Sequence, residues 1–168
     1  MTKRKDPLRK TLGPVLPLLE DFERAGVRFL VAGAVAGIYH GHVRKTKDVD
    51  LCVGTDVRVF DRILDALHAR GYRSLDVVDA IDMTRHTNAR FMAERIVDCL
   101  VRPKALDFDA AWGRREDLAV GGVTLHFVSI EDLIAMKDAA RRPKDLQDLP
   151  ALREVRRLRA IKAKHRGR

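Results

Sequence analysis

Apolar residues recur along this chain at two spacings, and each spacing names an element. Between Pro14 and Gly26 they stand at Leu18, Leu19, Phe22 and Ala25, the stripe of an amphipathic helix that Gly26 ends. Val27-Arg28-Phe29-Leu30-Val31 predicts a buried strand, Ala32-Gly33-Ala34 the turn after it, and Val35 to His40 a short helix ended near Gly41. Asp48 to Val53 is a second strand. Val57, Phe60, Ile63, Leu64 and Leu67 make the apolar face of a helix from Asp56 to Arg70. Tyr72 to Val78 is expected to be extended. Ala89 to Met92 and Arg95 to Val101 form a hairpin joined near Ala93-Glu94. A short helix is expected over Leu106 to Arg115. Gly121-Gly122 joins a second hairpin of Asp117 to Val120 and Val123 to Val128. Ser129, with Asp132 three residues on, caps a helix that runs to about Arg141. After a break at Arg142-Pro143, a last helix carries leucines at 146, 149 and 152, then Val155, Leu158 and Ile161. Pro150 falls in its first turns or kinks it.

This order predicts an α+β (α/β) fold: a small mixed β-sheet flanked by helices. Residues 1–26 read as a basic N-terminal segment and helix, 27–128 as the core, and 129–168 as C-terminal helices with a basic tail. Apolar residues make up 46% of the 168, enough for a core in one domain of this length. No apolar run approaches the ~20 residues of a membrane span, and no signal-peptide apolar region follows the basic start. The expectation is a cytoplasmic protein with no membrane partner. Two cysteines make no disulfide framework. By strand alternation Cys52 shares a face with Asp50, whereas Cys99 lies opposite Asp98.

The net charge of +9 is unevenly spread. Residues 1–10 contribute +4 and residues 151–168 contribute +7, so the stretch between them is slightly negative. Basic ends of this kind attract nucleic acid or nucleotides, and they also serve simply as solubilising tails.

The chemistry concentrates at Arg44-Lys45-Thr46-Lys47-Asp48-Val49-Asp50. Residues i and i+2 of a strand share a face, so Asp48 and Asp50 set two carboxylates side by side. Their repulsion is relieved by a divalent metal, and Mg²⁺ is commonly held by one or two carboxylates plus substrate phosphates. A third carboxylate, Asp98, interrupts the apolar strand Ile96 to Val101. Buried there it needs a cation, a hydrogen-bond donor or solvent. Arg95 and Arg102 at the strand ends are one answer; convergence with Asp48 and Asp50 is the other. About fifteen residues before the aspartate pair, Gly33 lets an anion approach the backbone where a helix begins.

Together these residues resemble the DNA polymerase β-like nucleotidyltransferase superfamily, above all its small bacterial minimal nucleotidyltransferases and abortive-infection-type toxin relatives. The likeness spans about residues 27–150. It rests on Gly33-Ala34, the Arg44-x-Thr46-x-Asp48-x-Asp50 strand, the lone Asp98, and Ser129 to Lys137 followed by Arg142-Pro143-Lys144-Asp145-x-x-Asp148. It implies that Asp48, Asp50 and Asp98 are catalytic and hold two Mg²⁺ ions, with Mn²⁺ an alternative. It implies nucleotide contacts from Gly33, Ala34, Arg44, Thr46 and Lys137. The reaction implied moves an NMP from an NTP to a hydroxyl of a protein, a tRNA or a small molecule, in a toxin–antitoxin or resistance setting. Ala34 departs from the family's usual Gly or Ser and removes a hydroxyl from the phosphate grip. That departure supports the alternative of a weakly active or inactive nucleotide- or RNA-binding module. Asp145 and Asp148, three residues apart beside Arg142 and Lys144, are expected to form local salt bridges. His40 and His86 are expected to be incidental.

Overall fold

A computed structural model describes residues 2–166 of the chain. The strands are β1 (Leu30–Val31), β2 (Asp48–Cys52), β3 (Asn88–Met92), β4 (Ile96–Leu100), β5 (Glu116–Val120) and β6 (Val123–Phe127). They form one mixed sheet in the order β3-β4-β2-β1-β6-β5. The pairs β2/β4 and β1/β6 are parallel. The pairs β1/β2, β3/β4 and β5/β6 are antiparallel. The helices are α1 (Thr2–Leu12), α2 (Leu16–Arg24), α3 (Gly33–His40), α4 (Val57–Ala69), α5 (Ala80–Arg85), α6 (Phe108–Gly113), α7 (Ile130–Ala140) and α8 (Pro143–Arg166). None of the described helices is long and apolar enough to cross a membrane.

One face of the sheet is apolar throughout. Val49 and Leu51 of β2, Val97 and Cys99 of β4, and Ala89 and Phe91 of β3 are all buried. Burying each larger side chain stabilises the fold by about 1.5–3 kcal/mol. The opposite face carries Asp48, Asp50, Asp98 and Arg90, so strand alternation itself separates core from site. Local signals start the helices as read from the sequence. The Asp56 side chain accepts from the Arg58 amide at the start of α4, and Ser129 Oγ accepts from the Asp132 amide at the start of α7. Gly121 and Gly122, at φ +60° and +85°, make the tight β5–β6 turn that suits strand twist.

Several expectations are corrected. The strand expected over Val27–Val31 shortens to Leu30–Val31, because only there does the chain pair with β2 and β6. Tyr72–Val78 is not a strand; Arg73 alone bridges to Met92. The basic N-terminal segment is helical, and its Leu8 and Leu12 are wholly buried in the core. Helix α5 was not foreseen. Helix α8 passes through Pro150, which supplies no N–H to the preceding turn.

Candidate active site

The parallel pairing of β2 with β4 sets Asp50 opposite Asp98, with Asp48 two residues earlier on the same face. The three carboxylates read from the sequence therefore do share one surface. Gly33 lies against them. It opens α3 at φ +58°, and a Cβ there would overlap the carboxylate of Asp50. Only glycine meets both demands. The Ala32 amide donates to the Asp50 carbonyl at 2.9 Å, fastening the start of α3 to β2. The amide-rich start of α3, with Gly33 and Ala34, thus stands beside Asp50. Thr46 braces the strand entrance: its hydroxyl donates to the Asp48 carbonyl at 3.1 Å and accepts from the Asp48 amide at 3.3 Å.

Asp98 is buried, and its partner is Arg90. The guanidinium donates to both carboxylate oxygens, Nε to Oδ1 at 2.9 Å and Nη2 to Oδ2 at 2.8 Å. It also reaches Asp48 Oδ2 at 3.5 Å. Arg95 and Arg102, the partners offered from the sequence, point elsewhere: Arg95 to the Thr46 carbonyl, Arg102 to the carbonyls of Thr84 and His86. The reason is register, since β3 places Arg90 directly across from Asp98.

One guanidinium thus serves two of the three carboxylates, Asp98 and Asp48. Asp50, which has no hydrogen-bonding cation of its own, shows the consequence. Desolvation first, then the charge of Asp98, push its carboxyl up to about 6, while Arg142 and Lys144 pull the other way. The two cysteines are free and buried, and burial pushes both thiols up, so neither is poised as a nucleophile. Among the described residues no three acidic, His or Cys side chains stand in a metal-holding cluster.

A cleft of about 420 Å³ opens on this face. Gly33, Asp50, Leu133, Lys137, Arg142 and Asp145 line it, together with Arg102 and Lys104. Lys137 belongs to a second, buried network. Its ammonium lies 2.7 Å from Asp148 Oδ2 and 3.3 Å from Asp145 Oδ1. Asp148 also pairs with His42 Nε2 at 2.9 Å and Arg44 Nε at 3.1 Å. Arg142 Nε reaches Asp145 Oδ2 at 2.7 Å. Hydrogen bonds from these cations outweigh burial and hold both carboxyls below the ordinary range. The local pairing expected for Asp145 is present with Arg142, which bonds it through Nε, Nη2 and its amide, and Lys137 adds a longer contact at 3.3 Å; Asp148 is instead paired over long range. Two sequence-selected phosphate contacts, Arg44 and Lys137, are thereby engaged by carboxylates. His40 is buried, with Nε2 2.9 Å from the Val128 carbonyl, and burial pushes its pKa down.

Sequence reasoning missed Arg90 and Lys104, and it offered Arg102 only as a partner for Asp98 and Arg142 only in the motif beside Asp145. Hairpin counting alone brings Arg90 to within one position of Asp98. Nothing comparable predicts that Arg142 and Lys104 line one cleft.

Solved structures share the fold. The lincosamide antibiotic adenylyltransferase LnuA, lincomycin-bound, matches with a TM-score of 0.61 at 13% identity, over 85% of this chain and 96% of its own. ANT(2'')-Ia in complex with adenylyl-2''-tobramycin matches at 0.59 and 15%, over 93% and 98%. An antigenic nucleotidyltransferase-like protein from Paracoccidioides brasiliensis matches at 0.55 and 18%, over 88% and 75%. No curated protein matches the chain in sequence. A family model described as "Nucleotidyltransferase of unknown function (DUF6036)" matches residues 17–159, so the chain belongs to that nucleotidyltransferase family.

Proposed function

We propose that this protein transfers an NMP from an NTP to a hydroxyl acceptor, with a divalent metal held by Asp48 and Asp50. The observation that carries the reading is Asp50. It is a partly buried carboxylate beside Gly33, with two like charges near it and no hydrogen-bonding cation of its own. The donor set fits a hard cation: both side chains offer oxygen, and Mg²⁺ is commonly completed by substrate phosphates. When bound, such an ion neutralises charge on the transferring phosphoryl group.

The chain's own residues supply the rest. Arg102, Lys104 and Arg142 line the cleft with positive charge suited to a triphosphate. The backbone at Gly33 and Ala34 offers amides where a helix begins. Asp98, with its carboxylate oriented by Arg90, is the candidate to orient the acceptor hydroxyl or take its proton. Two neighbours are described with antibiotics, and that supports a small-molecule hydroxyl as one acceptor class. Protein and tRNA hydroxyls are the others. A cytoplasmic setting, and a toxin–antitoxin or resistance role, follow from the same reading.

The bidentate grip of Arg90 on Asp98 favours a second reading, binding of nucleotide without transfer. Labelled NTPs with Mg²⁺ and candidate acceptors decide between them. Labelled product that is lost in the Asp48→Asn/Asp50→Asn variant supports transfer; NTP binding without turnover in the unaltered protein supports the binding module.

A further inference from the structure

A second cleft, of about 730 Å³, lies between α1, α3 and the segment that leads into β2. Pro7, Ile38 and Val43 contribute its apolar lining, and Lys10, Arg44, Lys45, Lys47 and Arg95 its charge. Among the described residues no acidic side chain lines it, whereas Asp50 and Asp145 line the first cleft. The leading segment explains the pattern. Residues 42 to 48 alternate: His42, Arg44, Thr46 and Asp48 are partly buried, while Val43, Lys45 and Lys47 are exposed. The inward set is engaged, Arg44 and His42 with Asp148 and Thr46 with Asp48. The outward lysines, with Lys10 of α1, carry no ion pair with any described residue. Like charges gathered without carboxylates repel one another, so an anionic occupant relieves them.

Lys47 immediately precedes Asp48, and Arg95 immediately precedes Ile96, its register partner. Strand alternation turns Lys47 away from the side that carries Asp48, so the basic cleft adjoins the entrance of β2 without sharing the carboxylate face, and its occupant is read from its charge.

We infer that this cleft binds the phosphate backbone of a single-stranded nucleic acid. Several exposed lysines around one cleft suit the flexible chain of phosphates of a single strand. This binding does not rest on the transfer reading above.

The test measures fluorescence anisotropy of a labelled 20-nucleotide RNA, and of the matching DNA, without NTP or metal. The full chain is expected to bind with Kd on the order of 10 μM at about 50 mM salt, and to weaken as salt rises. The Lys10→Gln/Lys45→Gln/Lys47→Gln variant is expected to bind at least about tenfold more weakly, with the log–log salt slope reduced by about 2. A control in the α8 tail, Arg156→Gln/Lys162→Gln/Lys164→Gln, is expected to bind within about twofold of the parent. RNA binding alone, or RNA and DNA binding alike, supports the inference. It is overturned if the parent does not bind, if only the α8 variant loses binding, or if poly-glutamate displaces the strand at equal charge concentration. Failure of transfer with intact groove binding would contradict the enzyme reading and leave this inference standing.

Discussion

Two acidic clusters each give one carboxylate, Asp50 and Asp145, to the candidate cleft, and their cation counts differ. Asp145 and Asp148 are almost wholly buried yet paired with Lys137, Arg142, Arg44 and His42. Asp48 and Asp98 share the one guanidinium of Arg90, and Asp50 has no hydrogen-bonding cation among the described residues. The carboxyls of the first cluster are held below their ordinary range, and that of Asp50 is raised to about 6. The first is a closed structural knot that ties α7 and α8 to the 42–44 segment. The second is a site with charge left over, and leftover negative charge on oxygen is what a divalent cation takes up. Acidic residues in a cleft are thus sorted by what already satisfies them.

The largest expected effect comes from opening the knot. Lys137→Met removes the buried cation that two buried carboxylates share, leaving them only Arg142, His42 and Arg44, and is expected to cost up to about 3–5 kcal/mol in urea unfolding. Asp50→Asn is expected to go the other way at pH 8, raising stability by up to about 3 kcal/mol, because it removes a charge the fold disfavours. If both variants lose stability alike, the distinction between the clusters fails.

The pH dependence separates them further. Asp50 has a folded pKa raised from 3.8 to about 6. The native state then binds its proton more readily than the unfolded chain. Its contribution is full below about pH 4 and lost as pH rises through about 6. Asp145 and Asp148 have lowered values, so their contribution is present above pH 4 and lost as pH falls below the ordinary carboxylate range. Urea melts between pH 3 and 8 are expected to flatten between about pH 4 and 6 in Asp50→Asn alone. An unchanged slope in that variant would remove Asp50 as its source.

A smaller effect is expected at Arg90. Arg90→Gln leaves the buried Asp98 carboxylate without its charged donor, a loss of about 1–3 kcal/mol without metal. Added Mn²⁺ is expected to restore part of it, seen as a larger rise in Tm than in the parent. An equal rise in both proteins would mean that Arg90 does not share the cation's position.

Much of this was legible before the fold was known, for a local reason. Strand alternation is a two-residue rule, so Asp48, Asp50 and the lone Asp98 could be placed from their neighbours alone. Ser129 as a cap and Gly121-Gly122 as a turn are legible in the same way. What could not be read depends on tertiary placement. Arg90 meets Asp98 through a register that shifts by one residue with the turn at 93–95. Lys137 looks like any exposed helix cation until α8 packs over it. Helix α1 was hidden because lysines and arginines surround Leu8 and Leu12, the two residues that anchor it.

The most direct test of the central claim is a Mn²⁺ titration followed by electron paramagnetic resonance, without nucleotide. The parent protein is expected to bind Mn²⁺, the Asp48→Asn/Asp50→Asn variant to lose that binding, and Arg90→Gln to bind about tenfold more tightly, since a competing positive charge is gone. Binding that survives unchanged in the double aspartate variant, or is absent from the parent, would contradict the assignment of these carboxylates as the cation site.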